Sequence, residues 1–370
     1  MEDFEAKKPE MVALLKQLVE RESPSNDKTA LDRLGDFLAK TCLDAGAQVE
    51  MLPVVSTGDH LVARWGSGPG GILLMHHMDT VHPLGTLNRA PFYEKEDRIF
   101  GPGVADMKGG IVVSLAAITS LRASGRLHRP VTVLVTTDEE TGSETSRELI
   151  IRLAREAVLA LVLEPGMLDS SLKTWRKGVG EFKLKVLGRA AHAGSSHQDG
   201  LNAIQELANQ VLAIQKMTDY DKGTTLNVGV IRGGTVTNVV PEQAEAEVDF
   251  RVLIPQEAER VEQAFKALKP VIPGTSLEVT GGLNRPPMPR DDLMKATFEK
   301  ARRIAGSIGL QIKAGGTGGA SDGNFVAPLG IPLLDGLGPY GDGMHSDREY
   351  IFTRSLTERT ALLAALIEQW

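Results

Sequence analysis

Short apolar runs alternate with longer amphipathic stretches over the first 165 residues of the chain. The apolar runs are rich in β-branched residues, so we expect buried strands at 72–75, 131–136 and 158–163. Helical patterns lie between them at 108–124 and 145–155. Strands that alternate with helices are typical of an α/β layer with a largely parallel sheet, whose ligands bind beyond the carboxyl ends of the strands.

Between residues 177 and 283 the pattern changes, and apolar and polar residues alternate with a period of two. Three strands are predicted there, GEFKLKVLG, TLNVGVIRGG and AEAEVDFRV, together with helices at 202–217 and 256–268. We therefore expect an α+β insert with an antiparallel sheet. The closely spaced prolines of NRPPMPR, at 284–290, are incompatible with the hydrogen bonding of either a strand or a helix. We therefore expect a linker that returns to the first domain.

The α/β pattern resumes after this linker with three predicted elements, a helix at 291–308, a strand at 331–334 and an amphipathic helix at 356–368. The chain is therefore predicted to hold one α/β domain and one inserted α+β domain. The α/β domain has two parts, residues 1–175 and 286–370, and the insert comprises residues 176–285.

Charge balance and cysteine content narrow the classes of function. The 370 residues include 41 Lys and Arg against 48 Asp and Glu, a formal net charge of −7, which argues against nucleic acid or an anionic membrane as the main partner. Cys42 is the only cysteine, so the chain has no intramolecular disulfide and no thiolate metal cluster. We expect Cys42 to be a small buried apolar residue, and any metal site must use His, Asp and Glu.

The N-terminal segment MEDFEAKKPEM lacks the basic start and apolar core of a signal peptide, which favours a cytoplasmic protein. The longest apolar runs, at 157–163 and 361–367, have seven residues each. They are far shorter than the ~18 residues that span a bilayer, so we expect no membrane segment.

Polar clusters follow the three predicted strands of the first domain: HHMD at 76–79, DEE at 138–140 and EPG at 164–166. Side chains two apart on a strand share a face, so Asp79 is placed to orient the His77 imidazole. Consecutive acids at a buried strand end repel each other unless a cation or a proton intervenes. One of Glu139 and Glu140 is therefore expected to bind metal while the other faces a bound water.

Two glycine-rich loops add further candidate ligands. Asp106 lies in GPGVADMKGG before a helical pattern, where an N-cap is the commonest role of Asp and a metal ligand is the alternative. The loop GDGMHSDRE contributes His345. Together with Glu164, the sequence offers two histidines and three carboxylates, a set suited to a dinuclear site for zinc or a similar metal.

Four polar residues near these motifs have plainer interpretations. His76 falls on the opposite face from His77, and His82 precedes a proline in an extended loop, so both are interpreted as hydrogen-bonded histidines beside the site. Ser23 and Ser25 lack a nearby His/Asp pattern and are interpreted as helix-cap or turn residues. We therefore assign no chemistry to these four.

Seven sequence elements occur in a fixed order between about residue 60 and residue 355: HMDTV, GPGVADMKGG, TDEETGS, EP, HAG, NVVP and GMHSD. Together they resemble the dinuclear zinc aminoacylase and carboxypeptidase superfamily, and most closely its glutamate carboxypeptidase branch. The resemblance implies a zinc-exopeptidase-like catalytic domain and makes the insert a lid that dimerises and closes over the substrate. It also implies two divalent metal ions, with zinc as the first expectation and cobalt or manganese as alternatives.

The resemblance assigns a role to each residue of the expected site. Five metal ligands are implied: His77, Asp106, Glu140, Glu164 and His345. Asp106 would bridge the metals, and His77 and Glu164 would bind opposite ones. Glu139 would be the general base, and Asp79 would orient His77. Relatives often have glycine before the motif histidine, where this chain has His76.

The resemblance also gives the lid residues a meaning. His192, in GRAAHAG, matches a lid histidine that reaches a partner protomer's active site and stabilises the oxyanion. Asn238, Arg251 and Arg285 match polar lid positions that hold the substrate, and an arginine binds a carboxylate bidentately. The alternatives are a turn former for Asn238, an exposed strand cation for Arg251 and a linker cover for Arg285.

The run GGTGGASDGNF at 315–325 lacks the Lys-Ser/Thr pair of a P-loop and does not match GxGxxG, so we exclude nucleotide binding. In the family this loop borders the substrate site. We expect the backbone N–H groups of Thr317, Gly318 and Gly319 to face a terminal carboxylate of the substrate.

The expected function is a metal-dependent hydrolase that cleaves an amide beside a free carboxylate and releases a C-terminal amino acid, with Glu139 taking the proton of the attacking water. An N-acyl amino acid deacylase or desuccinylase of the same superfamily is the alternative, because it would share the metal set. A catalytically inert relative that binds only a metal or a metabolite is the alternative from another class. The expected partners are a small peptide or N-acyl amino acid and a second copy of the chain, bound through the lid.

Overall fold

The computed structural model describes residues 2–370, with side chains from Phe4 onward. The chain divides into two compact units. The first unit contains the residues up to Trp175 together with Arg290–Thr317 and Ser321–Trp370. The second unit contains Arg176–Pro289 together with Gly318–Ala320.

Helices are distributed along the whole described chain. The α-helices are α1 (Glu2–Val19), α2 (Lys28–Asp44), α3 (Gly109–Ala123), α4 (Arg147–Glu156), α5 (Ala203–Gln215), α6 (Pro255–Lys266), α7 (Asp292–Ser307), α8 (Gly323–Val326) and α9 (Thr353–Gln369). Short 3-10 turns lie at Thr86–Asn88, Glu139–Thr141, His197–Asp199 and Ala327–Leu329, and a π-helical turn lies at Val104–Lys108. Side chains that accept a backbone N–H begin three of the helices, Asp27 for α2, Asn202 for α5 and Asp291 for α7.

The strands of the described chain are β1 (Gln48–Leu52), β2 (His60–Trp65), β3 (Gly71–His77), β4 (Tyr93–Lys95), β5 (Arg98–Phe100), β6 (Val131–Thr136), β7 (Ala157–Val162), β8 (Pro165–Gly166), β9 (Leu172–Arg176), β10 (Gly178–Leu187), β11 (Ala191–His192), β12 (Thr225–Gly233), β13 (Val239–Val240), β14 (Gln243–Val252), β15 (Ser276–Arg285), β16 (Ala314–Thr317), β17 (Leu333–Leu334), β18 (Gly338–Asp342) and β19 (Tyr350–Phe352).

The main sheet of the first unit has six strands in the order β1-β2-β6-β3-β7-β17. Strands β6, β3, β7 and β17 run parallel to one another, whereas β2 pairs antiparallel with β6, and β1 pairs antiparallel with β2 at the edge. This confirms the expected mixed, largely parallel sheet, and the predicted strands at 72–75, 131–136 and 158–163 correspond to β3, β6 and β7. The carboxyl ends of β3, β6 and β7 therefore meet at one edge.

A second sheet of the first unit, in the order β4-β5-β19-β18-β8, was not predicted. Its strands have two to five residues, too few for a recognisable period. It gathers loops from distant parts of the chain, because β5 precedes the loop of Asp106, β8 follows Glu164, and the β18–β19 connection carries His345. The short sheet thus draws three candidate ligand segments together.

The stretch Val104–Ala123, which includes α3, is the one helical stretch of the described chain that is long and apolar enough to cross a membrane, with a mean hydropathy of 1.4. However, 83% of its 18-residue window is buried inside the protein. Helix α3 packs against α1, α9 and the main sheet. It is apolar on all sides because all of its sides are buried in the core.

The second unit contains a four-stranded sheet in the order β12-β14-β10-β15, and all of its pairings are antiparallel, as predicted. Along β10 and β14, buried residues alternate with more exposed ones, so one face of the sheet carries the core. Stacked rings form its centre: Phe182 lies 5.2 Å from Phe250 and 3.7 Å from Phe265 between ring centroids.

Strand β15 corrects one expectation for the second unit. The predicted linker at 284–290 begins too early, because Asn284 and Arg285 are the last residues of β15. The Gly281-Gly282 pair, both with positive φ, interrupts the apolar alternation that would have revealed the strand. Arg285 is buried at the end of this strand, directly before the prolines of the linker.

Candidate metal centre and active site

The two carboxylate oxygens of Asp106 face two different histidines. Oδ1 lies 3.0 Å from Nε2 of His77, and Oδ2 lies 3.4 Å from Nε2 of His345. The N-cap position of α3 belongs to Lys108, so the N-cap interpretation of Asp106 is wrong. A carboxylate that presents one oxygen to each of two imidazoles has the arrangement needed to bridge two cations.

Each histidine also lies beside a second carboxylate. Oε1 of Glu164 is 3.3 Å from Nε2 of His77, and Oε2 of Glu140 is 3.3 Å from Nε2 of His345. The five expected ligands are therefore brought together, and donor atoms of His77, Asp106 and Glu140 all lie within 4.8 Å of one another.

The pairing of Glu164 with His77 corrects the expectation that these two residues bind opposite metals. His77 ends β3, and Glu164 lies two residues beyond the end of β7, the parallel strand beside it. Adjacent parallel strands deliver their next side chains to the same place. The donors form two groups that share Asp106: His77 with Glu164, and His345 with Glu140.

The electrostatics of this cluster call for positive charge. Hydrogen bonds to Asp106 and Glu140 raise the pKa of His345 to about 10. Burial works against protonation of His77, but its contacts with Asp106, Asp79 and Glu164 raise its pKa well above the usual range. Burial raises the pKa of Glu140, whereas the two histidines hold the pKa of Asp106 well below its usual range against the effect of burial. A cation that replaces these imidazole protons would satisfy the carboxylates.

The donor chemistry fits divalent metal ions. All five groups offer nitrogen or oxygen, which suits zinc, cobalt and manganese. Nδ1 of His77 lies 2.9 Å from the carbonyl oxygen of Asp79, and a carbonyl only accepts, so this nitrogen donates. A neutral His77 with its proton on Nδ1 directs the lone pair of Nε2 toward Asp106, as a metal ligand would.

Asp79 contacts both His77 and the turn that carries Glu139 and Glu140. Its Oδ1 lies 3.4 Å from Nδ1 of His77. Its carboxylate also accepts the backbone N–H groups of Glu139 and Glu140, each over 3.2 Å, and the hydroxyl of Ser25 over 2.8 Å. Ser25 lies in a turn, as interpreted, but Asp27 is the residue that caps α2, and the hydroxyl of Ser25 also contacts the site.

Glu139 begins the 3-10 turn at Glu139–Thr141 and is half-buried. Its negative charge contributes to the raised pKa of His77, which places the carboxylate within electrostatic range of the donor cluster. The turn therefore presents one acid, Glu140, to His345 and keeps its neighbour beside the cluster.

The remaining histidines of the motif are hydrogen-bonded beside the cluster, as expected. Nε2 of His76 lies 2.8 Å from the Ser114 hydroxyl, and burial lowers the pKa of His76 to about 4. Nε2 of His82 lies 3.1 Å from Oε2 of Glu349. Glu349 was not among the predicted site residues, and its one signal in the sequence is its position four residues after His345.

His192, in the second unit, is exposed and has a defined tautomer. Its Nδ1 accepts the backbone N–H groups of Gly194 and Ser195, each over 3.1 Å. A neutral imidazole with Nδ1 as acceptor carries its proton on Nε2 and offers an N–H outward. Strand β11 pairs His192 with Val239, the first residue of β13. Asn238 directly precedes β13, and its carbonyl accepts the N–H of Ala193 over 2.9 Å.

The register of the second sheet places two arginines on one row. Val179 of β10 pairs with Arg251 of β14 on one side and with Arg285 of β15 on the other. Partial burial and the charge of Arg251 lower the pKa of Lys177, so a third cation lies near this row. No motif in the sequence marks Lys177.

Arg251 is not simply an exposed strand cation. It donates to the Asp249 carboxylate from Nε and Nη2 over 2.9–3.0 Å, and Nη1 lies 3.5 Å from the carbonyl of Gly318. The carbonyl of Gly319 accepts from Arg176 over 3.3 Å. In the glycine-rich loop, the carbonyls of Gly318 and Gly319 thus contact arginines, and Thr317 ends β16.

Comparisons with known proteins agree with this arrangement of residues. The sequence profile of "Peptidase family M20/M25/M40" matches residues 73–369. Carboxypeptidase G2 of Pseudomonas sp. (strain RS-16) is 31% identical over 371 residues, which cover 97% of this chain and 89% of that protein. Acetylornithine deacetylase of Edwardsiella ictaluri (strain 93-146) is 31% identical over 267 residues, which cover 66% of this chain and 68% of the relative.

The fold has counterparts among solved structures. The crystal structure of aminopeptidase PepT from Bacillus cereus ATCC 10987 superposes with a TM-score of 0.79 at 25% identity. The match covers 98% of each chain. Both units therefore have equivalents in a known peptidase.

Proposed function

Because the chain belongs to peptidase family M20/M25/M40 and is a carboxypeptidase-like hydrolase, we propose that it cleaves an amide beside a free carboxylate and releases a C-terminal amino acid. The observation that carries this proposal is the Asp106 carboxylate, with one oxygen toward His77 and the other toward His345. His77, Asp106 and Glu164 would hold one divalent ion, and Asp106, Glu140 and His345 the other. Bound there, two ions, zinc first among them, would polarise the scissile carbonyl and lower the pKa of the attacking water.

Glu139 is the proposed general base. It accepts the proton of the attacking water and passes it to the leaving nitrogen. The support is its place in a turn whose N–H groups donate to Asp79, so that one carboxylate fixes the backbone of both Glu139 and the proposed ligand Glu140. Asp79 in turn orients His77, which joins the proton-transfer group to the proposed ligand set.

The second unit is the proposed lid and dimerisation domain. His192 would donate its Nε2–H to the oxyanion in the active site of a partner protomer. Its support is the tautomer, because two backbone N–H groups occupy Nδ1 and leave Nε2 as the donor. Strand β12 lies at an edge of its sheet, where a second copy could pair in a two-fold arrangement.

The substrate carboxylate is proposed to bind near the arginine row of the lid, with Asn238 and the loop of Thr317, Gly318 and Gly319 as further contacts. Arg251 and Arg285 share one row of the sheet, and Lys177 adds positive charge there. Asp249 holds the Nε and Nη2 edge of the Arg251 guanidinium, so a substrate carboxylate would meet its Nη1 side, which lies 3.5 Å from the carbonyl of Gly318.

An N-acyl amino acid deacylase is the second candidate function. The observation that favours it is the 31% identity to acetylornithine deacetylase, which extends over two thirds of the chain. We place the protein in the cytoplasm, in keeping with its single, buried cysteine.

A hydrolysis screen tests both candidates. Chelated protein is reloaded with zinc, cobalt or manganese and given two panels, dipeptides and aroyl amino acids that end in glutamate, and N-acetyl amino acids. We expect release of glutamate from the first panel, whereas preference for the second panel would favour the deacylase. Protein with verified metal content that releases no amino acid from either panel would contradict both.

A further inference from the structure

Glu349 is a buried carboxylate whose four hydrogen-bonding contacts all lie close to the candidate centre. The residue is 2% exposed. Oε1 accepts the backbone N–H groups of Ala105 and Asp106 over 2.8 and 3.0 Å. Oε2 accepts the N–H of Gly103 over 2.8 Å and lies 3.1 Å from Nε2 of His82. These contacts occupy about the full accepting capacity of a carboxylate.

The loop of Asp106 depends on an outside acceptor because three of its N–H groups, those of Gly103, Ala105 and Asp106, donate to Glu349. Gly103 has φ 73°, and Asp106 and Met107 have non-helical backbone angles within the π-helical turn. Val104 and Ala105 are completely buried, so water does not replace a lost partner there. Without Glu349, the N–H groups of this turn would be buried without an acceptor.

Glu349 itself belongs to the segment that carries His345. Its N–H donates to the carbonyl of Ser346, and its own carbonyl accepts from the N–H of Gly101. His345 has a positive φ of 61° and a side chain that is 54% exposed, so packing alone holds it weakly. A single carboxylate therefore ties the His345 segment to the Asp106 loop.

We propose that Glu349 is a positioning residue that sets the spacing between the donors of Asp106 and His345, with His82 as its partner from the His77 segment. The inference rests on the metal site proposed above. The backbone N–H of Asp106 donates to Glu349, which fixes the position of Asp106. The short chain segment between His345 and Glu349 fixes the position of His345. The spacing between the two donors determines how well the shared cation site fits its ion.

Glu349→Gln tests this role, because the amide keeps the shape but accepts through one oxygen only. In either orientation of the amide, its NH₂ group replaces an oxygen that accepts a backbone N–H in the wild type. Two donors then face each other. We expect the apo protein to bind Co²⁺ about 10- to 100-fold more weakly, with altered visible absorption bands, while its far-UV circular dichroism is unchanged. Cobalt alone is the probe, so the readout does not depend on turnover.

Glu206→Gln is the matched control. Glu206 is also fully buried and accepts the N–H groups of Val271 and Ile272, but it lies in the second unit. We expect it to lower the melting temperature and leave the cobalt affinity and spectrum unchanged. An equal loss of cobalt affinity in both variants would overturn the proposal, and so would wild-type cobalt binding by Glu349→Gln.

His82→Ala covers the case in which Glu349→Gln does not fold. It removes one of the four contacts and should weaken cobalt binding less than Glu349→Gln would, with the same kind of spectral change. Wild-type affinity and spectrum for His82→Ala would then overturn the proposal. Wild-type protein that binds no cobalt would instead contradict the proposed metal site, so the two failures are distinguishable.

Discussion

The hydroxyl of Ser25 donates a hydrogen bond of 2.8 Å to Oδ2 of Asp79. The two residues are 54 positions apart, and the bond joins the segment before α2 to the end of β3. The same carboxylate accepts the N–H groups of Glu139 and Glu140. A serine remote in sequence thus helps to fix the residue that orients both the proposed general base and a proposed ligand.

Ser25→Ala should weaken this arrangement. A hydrogen bond to a charged group contributes about 1.5–3 kcal/mol, so we expect a loss of that order in the free energy of unfolding, with a lower kcat and little change in KM. Ser23→Ala is the control, because the Ser23 hydroxyl donates to the neutral carbonyl of Met78. Denaturant titrations and steady-state kinetics of both variants provide the measurement. Equal losses of kcat in the two variants would contradict a specific role for the Ser25–Asp79 bond.

The parts of the site that sequence analysis predicted lie at the ends of buried strands. Strands β3 and β7 are almost continuously apolar, so the acids and histidines that follow them stand out. His77 and Glu164 could be found for this reason. Their assignment to opposite metals was wrong because the order of strands in the sheet, which makes β3 and β7 neighbours, is not visible in the pattern.

Residues that act through backbone N–H groups gave no comparable signal. Glu349 sits between a charged stretch and a three-residue strand, and its partners are main-chain atoms nearly 250 positions away. Ser25 resembles any turn serine until the fold places it beside Asp79. Strand β15 was missed because a Gly-Gly pair interrupts it, and the short sheet that contains β5, β18 and β19 has strands too short to show a period.

Glu139→Gln and Glu140→Gln should separate the proposed base from the proposed ligand. Glu139→Gln cannot accept the proton of water, so we expect a fall in kcat of about 10²- to 10⁴-fold with metal content unchanged. Glu140→Gln should lose metal, because Glu140 lies 3.3 Å from His345 in one of the two donor groups. Metal content by mass spectrometry and kcat are measured on the same samples. Loss of metal from Glu139→Gln alone would show that the two roles are reversed.

Chelation should abolish activity, and zinc or cobalt should restore it. The five donors converge, and the carboxylates of Asp106 and Glu140 raise the pKa of His345 to about 10, so the cluster binds a proton that a metal ion would replace. Metal that binds only the folded chain should also raise the melting temperature in proportion to the logarithm of its concentration. Full activity after verified removal of all metal would contradict the two-ion proposal.

His76 should make the protein sensitive to acid. Burial lowers its pKa to about 4, whereas an unfolded histidine has a pKa of about 6.5. Between these values the unfolded chain binds a proton that the folded chain does not, so stability falls as the pH drops from about 6.5 to 4, by about 3 kcal/mol at most. His76→Gln removes this contribution. Denaturant titrations of both proteins at pH 7, 6 and 5 should show wild type losing stability relative to the variant, and a difference independent of pH would contradict the argument.

The assembly prediction concerns His192 and the edge strand β12. His192 is exposed, and its Nε2 carries the imidazole proton because Nδ1 accepts two backbone N–H groups. If two copies pair through their lids, each lid histidine serves the active site of the other protomer, so assembly and catalysis are coupled. His192→Ala and Glu139→Gln then damage different chains of a shared active site. Each variant alone should be nearly inactive.

Mixing the two variants should restore activity. A mixed dimer has one site with neither residue and one site that combines Glu139 of the first chain with His192 of the second. Random exchange makes half of the dimers mixed, so the mixture should reach about a quarter of wild-type activity. Exchange is verified by native mass spectrometry with one chain isotopically labelled, and Glu139→Gln mixed with the double variant is the control that should remain inactive. If mixed dimers form and the activity stays at that of the parents, His192 does not act across the interface, because a histidine that served its own protomer could not be supplied by another chain.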